Sequence, residues 1–114
     1  MNFEDVIRLR TATRKFDHIS VERSKIEKIL KAGRLAPTAK NLQPQKIFVV
    51  TSKKGLIQID KASPYRYNAP LVLMVCSDKS VAFQKNDYST YEMDAVIVAT
   101  HMMLEATNLG VDNI

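Results

Sequence analysis

The chain predicts an α+β fold in which two short strands sit among four helical segments. Three observations carry this reading. Ile47–Thr51 and Leu71–Cys76 are short, continuous apolar runs, the pattern of strands buried on both faces. Other segments repeat apolar residues at spacings of three and four, the period of an amphipathic helix. The last segment, Tyr91–Leu109, is apolar around most of a helical circumference, so it must be covered on several sides.

The elements follow in order. Phe3, Val6, Ile7 and Arg10 mark a short opening helix, which the polar, β-branched run Thr11-Ala12-Thr13 interrupts. A second helix is expected to start with Ser20 as its N-cap and Glu22 in its first turn, where negative charge suits the helix dipole. Ile26, Ile29, Leu30, Gly33 and Leu35 give it an apolar stripe, and Pro37 ends it. A short helix beginning near Ser52 and covering Lys53–Lys61 links the two strands. Ser77–Thr90 is polar and without period, and reads as a loop. In the final helix the polar residues Asp94, His101, Glu105 and Asn108 form one narrow stripe, and Gly110 is placed to end it with φ > 0. A chain of 114 residues has few elements with which to cover such a helix, so a second subunit is expected to share in the covering, with Val98 and Met102 in that contact.

Composition bounds the function. With 46% hydrophobic and 25% charged residues, residues 1–114 read as a single globular domain. The net charge of +5 is spread over separate segments; Lys25, Lys28, Lys31 and Arg34 lie along one helix, the pattern of a solvated face rather than of a nucleic-acid module. The single cysteine, Cys76, excludes a disulfide framework and reads as a buried thiol. His18 and His101 each stand alone, so no metal site is expected. No run approaches the length of a membrane span, no signal-peptide core opens the chain, and the cytoplasm is the expected compartment.

Three stretches carry chemistry. Ala36-Pro37-Thr38-Ala39-Lys40-Asn41-Leu42-Gln43-Pro44 joins a helix to a strand with two prolines that fix φ and a set of directed polar groups. Arg10-Thr11-Ala12-Thr13-Arg14-Lys15-Phe16 brackets a hydroxyl-rich turn with two arginines, a donor set that suits a phosphate monoester and equally describes two solvated side chains. Asp94-Ala95 through Asn108-Leu109-Gly110-Val111 closes the long helix. In order and spacing these resemble the nitroreductase family: the first its "APS-x-N-x-QP" loop, the second its "RRS-x-R-x-F" run, the third its central helix ending in Leu-Gly-Val.

The resemblance implies a three-layer sandwich, a central β-sheet flanked by helices, in a homodimer with two FMN at the interface. It implies an oxidoreductase that takes hydride from NAD(P)H and passes electrons to a nitroaromatic, quinone or flavin-like acceptor. The matching positions put Arg10, Thr11, Ala12 and Arg14 at the FMN phosphate and ribityl chain. Ala12 stands where the family has serine, which leaves only a backbone contact there. Pro37, Thr38 and Asn41 fall against the flavin bound mainly by the partner subunit, while Asn41 on its own reading satisfies an Asx-type turn. Gln43 is expected to brace the loop, and Gln45 replaces a residue that is often aromatic. Arg66, or Asn68 near it, is a candidate for the pyrimidine edge, where positive charge stabilises the reduced ring; the plain alternative is a loop arginine. Tyr88, Tyr91 and Glu92 are candidates for a substrate lid. No acid–base catalytic residue is expected, because the cofactor carries the chemistry. The family's C-terminal third is absent, so the chain is expected to be a fragment truncated at Ile114. The competing reading is a cofactor-free domain that serves only association.

Overall fold

The computed structural model describes residues 1–114 throughout. Helix α1 (Phe3–Leu9) is capped by Asn2, whose side chain accepts from the Asp5 N–H at 2.9 Å. It turns one residue, Val6, fully inward. Helix α2 (Arg23–Leu35) begins later than the sequence suggests. Glu22, not Ser20, is its N-cap; the Glu22 carbonyl accepts from Lys25 and Ile26, and its carboxylate pairs with Lys25 at 3.7 Å. Ser20 stays outside the helix and exposed. A 3-10 turn at Ala39–Asn41 leads to strand β1 (Gln45–Val50), helix α3 (Lys53–Ala62) and strand β2 (Val72–Ser77). The Ser52 hydroxyl caps α3 by accepting from Gly55 N–H at 3.1 Å.

The strands pair antiparallel, Gln45 opposite Ser77 and Val50 opposite Val72. They are not buried on both faces. Ile47, Leu73 and Val75 pack on the core, while Phe48 and Met74, cross-strand partners, lie exposed. Apolar runs of this kind do not distinguish a strand covered by its own chain from one left open. The Ser77–Thr90 segment is also more ordered than a loop: strands β3 (Gln84–Lys85) and β4 (Tyr88–Ser89) form a small hairpin, turned at Asn86 with φ of 56°.

Helix α4 (Tyr91–Asn108) is the axis of the fold. Asp94, Val98, Met102 and Ala106, one residue per turn, are buried, and Ile29 and Ala36 from α2 and its exit complete the core with Val98, Met102 and Ala106. The helix closes on a Schellman motif: Val111 N–H reaches Ala106 O at 2.8 Å, Gly110 N–H reaches Thr107 O at 3.0 Å, and Gly110 has φ of 73°. The expected mixed α+β architecture is the one found.

Two expectations about α4 are corrected. Asp94 does not share an exposed stripe with His101 and Asn108, because the 38–41 loop lies over it and buries it. Val98 and Met102 are the interior of this chain rather than a surface for another. The uncovered apolar residues of α4 are Met93, Val96 and Ile97. The axis also sets a tight constraint on α2. A Cβ at Gly33 would lie 2.7 Å from Met102 Sδ and 2.9 Å from Ile47 Cδ1, both in the packed interior. Gly33→Ala is therefore expected to cost about 1–3 kcal/mol by overpacking, against a helix-propensity gain of up to about 1 kcal/mol. A net loss of stability in urea unfolding checks this, and an unchanged or higher midpoint would contradict it.

Candidate functional site

Three groups of residues carry the candidate site, and the fold holds each differently. The loop from Pro37 to Pro44 is pinned at its entrance, where the Ala39 N–H donates to Asp94 Oδ1 at 3.0 Å. The Thr38 hydroxyl accepts from the Gln43 N–H at 3.0 Å and its carbonyl from Asn41 N–H at 2.9 Å. Thr38 is thus the brace of the loop, the part the sequence reading gave to Gln43. Lys40, Asn41 and Gln43 all have φ between 52° and 54°. Three left-handed non-glycine residues within four positions store backbone strain, which persists only where surrounding contacts impose it. The Asn41 side chain forms no Asx-type bond; it is exposed, with its amide unused inside the chain.

The second group follows α1. Ala12 pairs with Asn113 in a parallel bridge, and Thr13 N–H donates to Asn113 O at 3.0 Å. Arg10 Nη1 lies 3.5 Å from Asn113 Oδ1. Asn113 is in turn fixed by donating to Thr107 Oγ1 at 3.1 Å and Met103 O at 3.3 Å. Sequence reasoning missed Asn113; only its long-range pairing identifies it. Neither Arg10 nor Arg14 forms an ion pair with a carboxylate of this chain, and the Thr11 and Thr13 hydroxyls make no bond within it. Arg14 and Thr11 are exposed. Two guanidinium groups without a carboxylate partner, Arg10 held only by its long contact to Asn113, and two free hydroxyls on a turn held from behind form a donor set that fits a phosphate monoester.

Arg66 is differently placed. Its Nε donates to Asp60 Oδ1 at 2.7 Å, Nη2 to Asp60 Oδ2, and Nη1 to the Ala69 carbonyl at 2.8 Å. The next two residues, Tyr67 and Asn68, are both left-handed. Most of the fork is therefore spent on shaping its own loop. The Arg66 hydrogen bond holds the Asp60 carboxyl below its ordinary range, and Asp60 raises the guanidinium. A lowered carboxylate contributes stability above its unfolded value, lost as pH falls through the folded one. Asp60→Asn should therefore lower the thermal midpoint at neutral pH, with the difference from wild type shrinking as pH falls through the lowered folded-state value and vanishing once the carboxyl is protonated in both states. A difference that persists in acid would exclude the ion pair as its source.

Arg66, Phe16 and Asn113 border one cavity of about 470 Å³, otherwise lined mainly by apolar residues such as Leu71, Met74 and Met103. No residue of the 37–44 loop lines it. That loop contacts the start of α4 at Asp94, whereas Asn113 contacts its end at Thr107, roughly 20 Å further along at 1.5 Å per residue. One chain therefore brings Arg66 to the same cavity as Phe16 and Asn113, the residues that flank and hold the arginine turn, while Arg10, Thr11, Ala12 and Arg14 themselves do not line it and Pro37, Thr38 and Asn41 lie apart.

The remaining candidates are quickly placed. Gln45 starts β1 and donates to Gly33 O at 3.3 Å, while its Oε1 and the facing Ser77 Oγ are buried without partners. The Tyr91 hydroxyl donates to Glu92 at 2.7 Å, which raises the phenol above its ordinary value. Cys76 is half-buried rather than fully enclosed. No three His, Cys, Asp or Glu side chains converge, and no helix is long and apolar enough to cross a membrane.

An α+β subunit with a phosphate-type donor turn, a strained polar loop and a glycine-closed axial helix defines a recognisable class. The Nitroreductase family profile matches residues 7–65, more than half of the chain, which therefore belongs to the nitroreductase family. Among solved structures, a nitroreductase family protein from Clostridium difficile 630 is 38% identical, with a TM-score of 0.91 over 96% of this chain and 64% of that one. An FMN-dependent nitroreductase from Clostridium difficile R20291 is 34% identical, with a TM-score of 0.81 over 94% of this chain and 61% of that one. A protein of Archaeoglobus fulgidus, provisionally named an NADH dehydrogenase/NAD(P)H nitroreductase, is 30% identical over 112 residues, 96% of this chain and 63% of its own length. The chain thus spans less than two thirds of each of these relatives.

Proposed function

We propose that this chain binds FMN as a homodimer and works as a cytoplasmic NAD(P)H-dependent oxidoreductase. When bound, FMN supplies hydride acceptance from NAD(P)H and electron delivery to a nitroaromatic, quinone or flavin-like acceptor. The observation that carries the proposal is the donor set at Arg10, Thr11 and Arg14, in which neither arginine has a carboxylate partner. Those side chains hold the phosphate, with the Ala12 backbone beside them. Arg66 lines the adjoining cavity, and its place at an anionic ring edge rests on the family resemblance, since Asp60 and the Ala69 carbonyl already engage most of its donors. Pro37, Thr38 and Asn41 are supplied to the site of the other subunit, which the separation of the two groups along α4 supports. The exposed apolar residues Met93, Val96 and Ile97 support a second copy lying against α4.

Titration of purified protein with FMN, followed by NAD(P)H oxidation with each acceptor class, tests this reading. Saturable binding and turnover are expected. A well-folded protein that takes up no flavin would overturn the reading in favour of a cofactor-free association domain.

A further inference from the structure

We infer that Asp94 is a positioning residue for the Pro37–Pro44 loop, linked through Thr90 to the β3–β4 hairpin; its consequence for flavin rests on the FMN reading above. The position itself argues for a special role. Asp94 is 2% exposed and occupies the buried stripe of α4 that Val98, Met102 and Ala106 continue. An apolar side chain would fill that place without the cost of burying a charge. No cation pairs with it. Its two oxygens instead hold two segments together. Oδ1 accepts from the Ala39 N–H, and Oδ2 from the Thr90 hydroxyl, each at 3.0 Å.

Thr90 is the hinge pin of the hairpin. Its N–H donates to the Phe83 carbonyl at 3.0 Å, closing the segment that contains β3 and β4. Its single hydroxyl proton goes to the shorter contact, Asp94, rather than to Phe83 O at 3.4 Å. A second link joins the same partners, since the Lys40 ammonium lies 5.4 Å from the centre of the Phe83 ring. Ala39 opens the 3-10 turn, and Leu42 N–H donates back to its carbonyl at 3.3 Å. Fixing the Ala39 amide therefore fixes the left-handed Lys40–Asn41 pair that follows and sets the direction of the Asn41 amide. The strain of those two residues is held by the carboxylate on one side and the hairpin on the other.

Two measurements on the full chain test this. Amide exchange of Ala39 should accelerate about tenfold or more in Asp94→Ala, as for loss of one hydrogen bond to a charged group. Asp94→Asn keeps an acceptor for Ala39 and should stay within about threefold of wild type. Unchanged exchange in Asp94→Ala would overturn the inference. Should that variant fail to fold, Thr90→Val is read in the same way, with exchange about threefold faster expected and no change refuting the link. For flavin, Asn41→Ala and Asp94→Ala should each weaken FMN binding about tenfold, and the double variant no further, because one acts through the other. Multiplying losses would show that Asp94 acts only on general stability. Absence of FMN binding by wild type would remove the proposed function while leaving the exchange result to decide the loop clamp.

Discussion

Val98→Asp is expected to unfold the subunit, whereas Val96→Asp leaves it folded and separates the proposed dimer. The two residues lie two apart on α4 and differ in their surroundings. Val98 is 0% exposed and belongs to the five-residue core cluster with Ile29, Ala36, Met102 and Ala106. A carboxylate there would sit among apolar core side chains, and an uncompensated buried charge costs about 3–5 kcal/mol. That is comparable to the whole stability of a small domain, about 5–15 kcal/mol, and only seven hydrophobic residues here are fully buried, which places this chain at the low end. Val96 is 65% exposed, beside Ile97 and Met93. A charge at that position stays hydrated in the single subunit and is buried only against a second copy. Circular dichroism and sedimentation velocity separate the cases. A folded Val98→Asp protein would contradict the core assignment, and a dimeric Val96→Asp protein would remove α4 from the interface.

Removing both guanidinium groups, in Arg10→Ala/Arg14→Ala, is expected to weaken the proposed FMN binding by a hundredfold or more. Each hydrogen-bonded charge is worth about 1.5–3 kcal/mol, and neither arginine has another anion to hold in this chain. Little stability should be lost, because Arg14 is exposed and the Arg10 contact to Asn113 is long at 3.5 Å. Arg23→Ala/Arg34→Ala, which removes two exposed guanidinium groups from α2, serves as the control of equal charge change. Flavin fluorescence titration reads the result. Affinity equal to wild type in the double variant would take the phosphate away from this turn.

Periodicity located every helix and both long strands, because a 3.6-residue or continuous apolar pattern is a local property. Motif resemblance located the arginine turn and the polar loop. What escaped depends on contacts distant in sequence. Asp94 looks like one more polar residue of a surface stripe until the loop 55 positions earlier is laid over it. Asn113 gains its role only from residues near the other end of the chain. The β3–β4 hairpin was invisible since Gln84, Lys85, Tyr88 and Ser89 show no alternation, though Asn86 is a residue that tolerates φ > 0 and could have marked its turn. The left-handed state of Lys40 and Gln43 has no sequence signal, because neither residue favours it.

The bond between Arg10 and Asn113 spans 103 positions, and the Ala12–Asn113 bridge is nearly as long-range. Such contacts carry the closure entropy of a long loop and are expected to form after local helices and the α3-linked strand pair. The arginine turn is thus a late product of folding, and during synthesis it cannot be assembled before Asn113 has left the ribosome. On this ordering, the proposed phosphate site exists only once residues 1–113 have emerged.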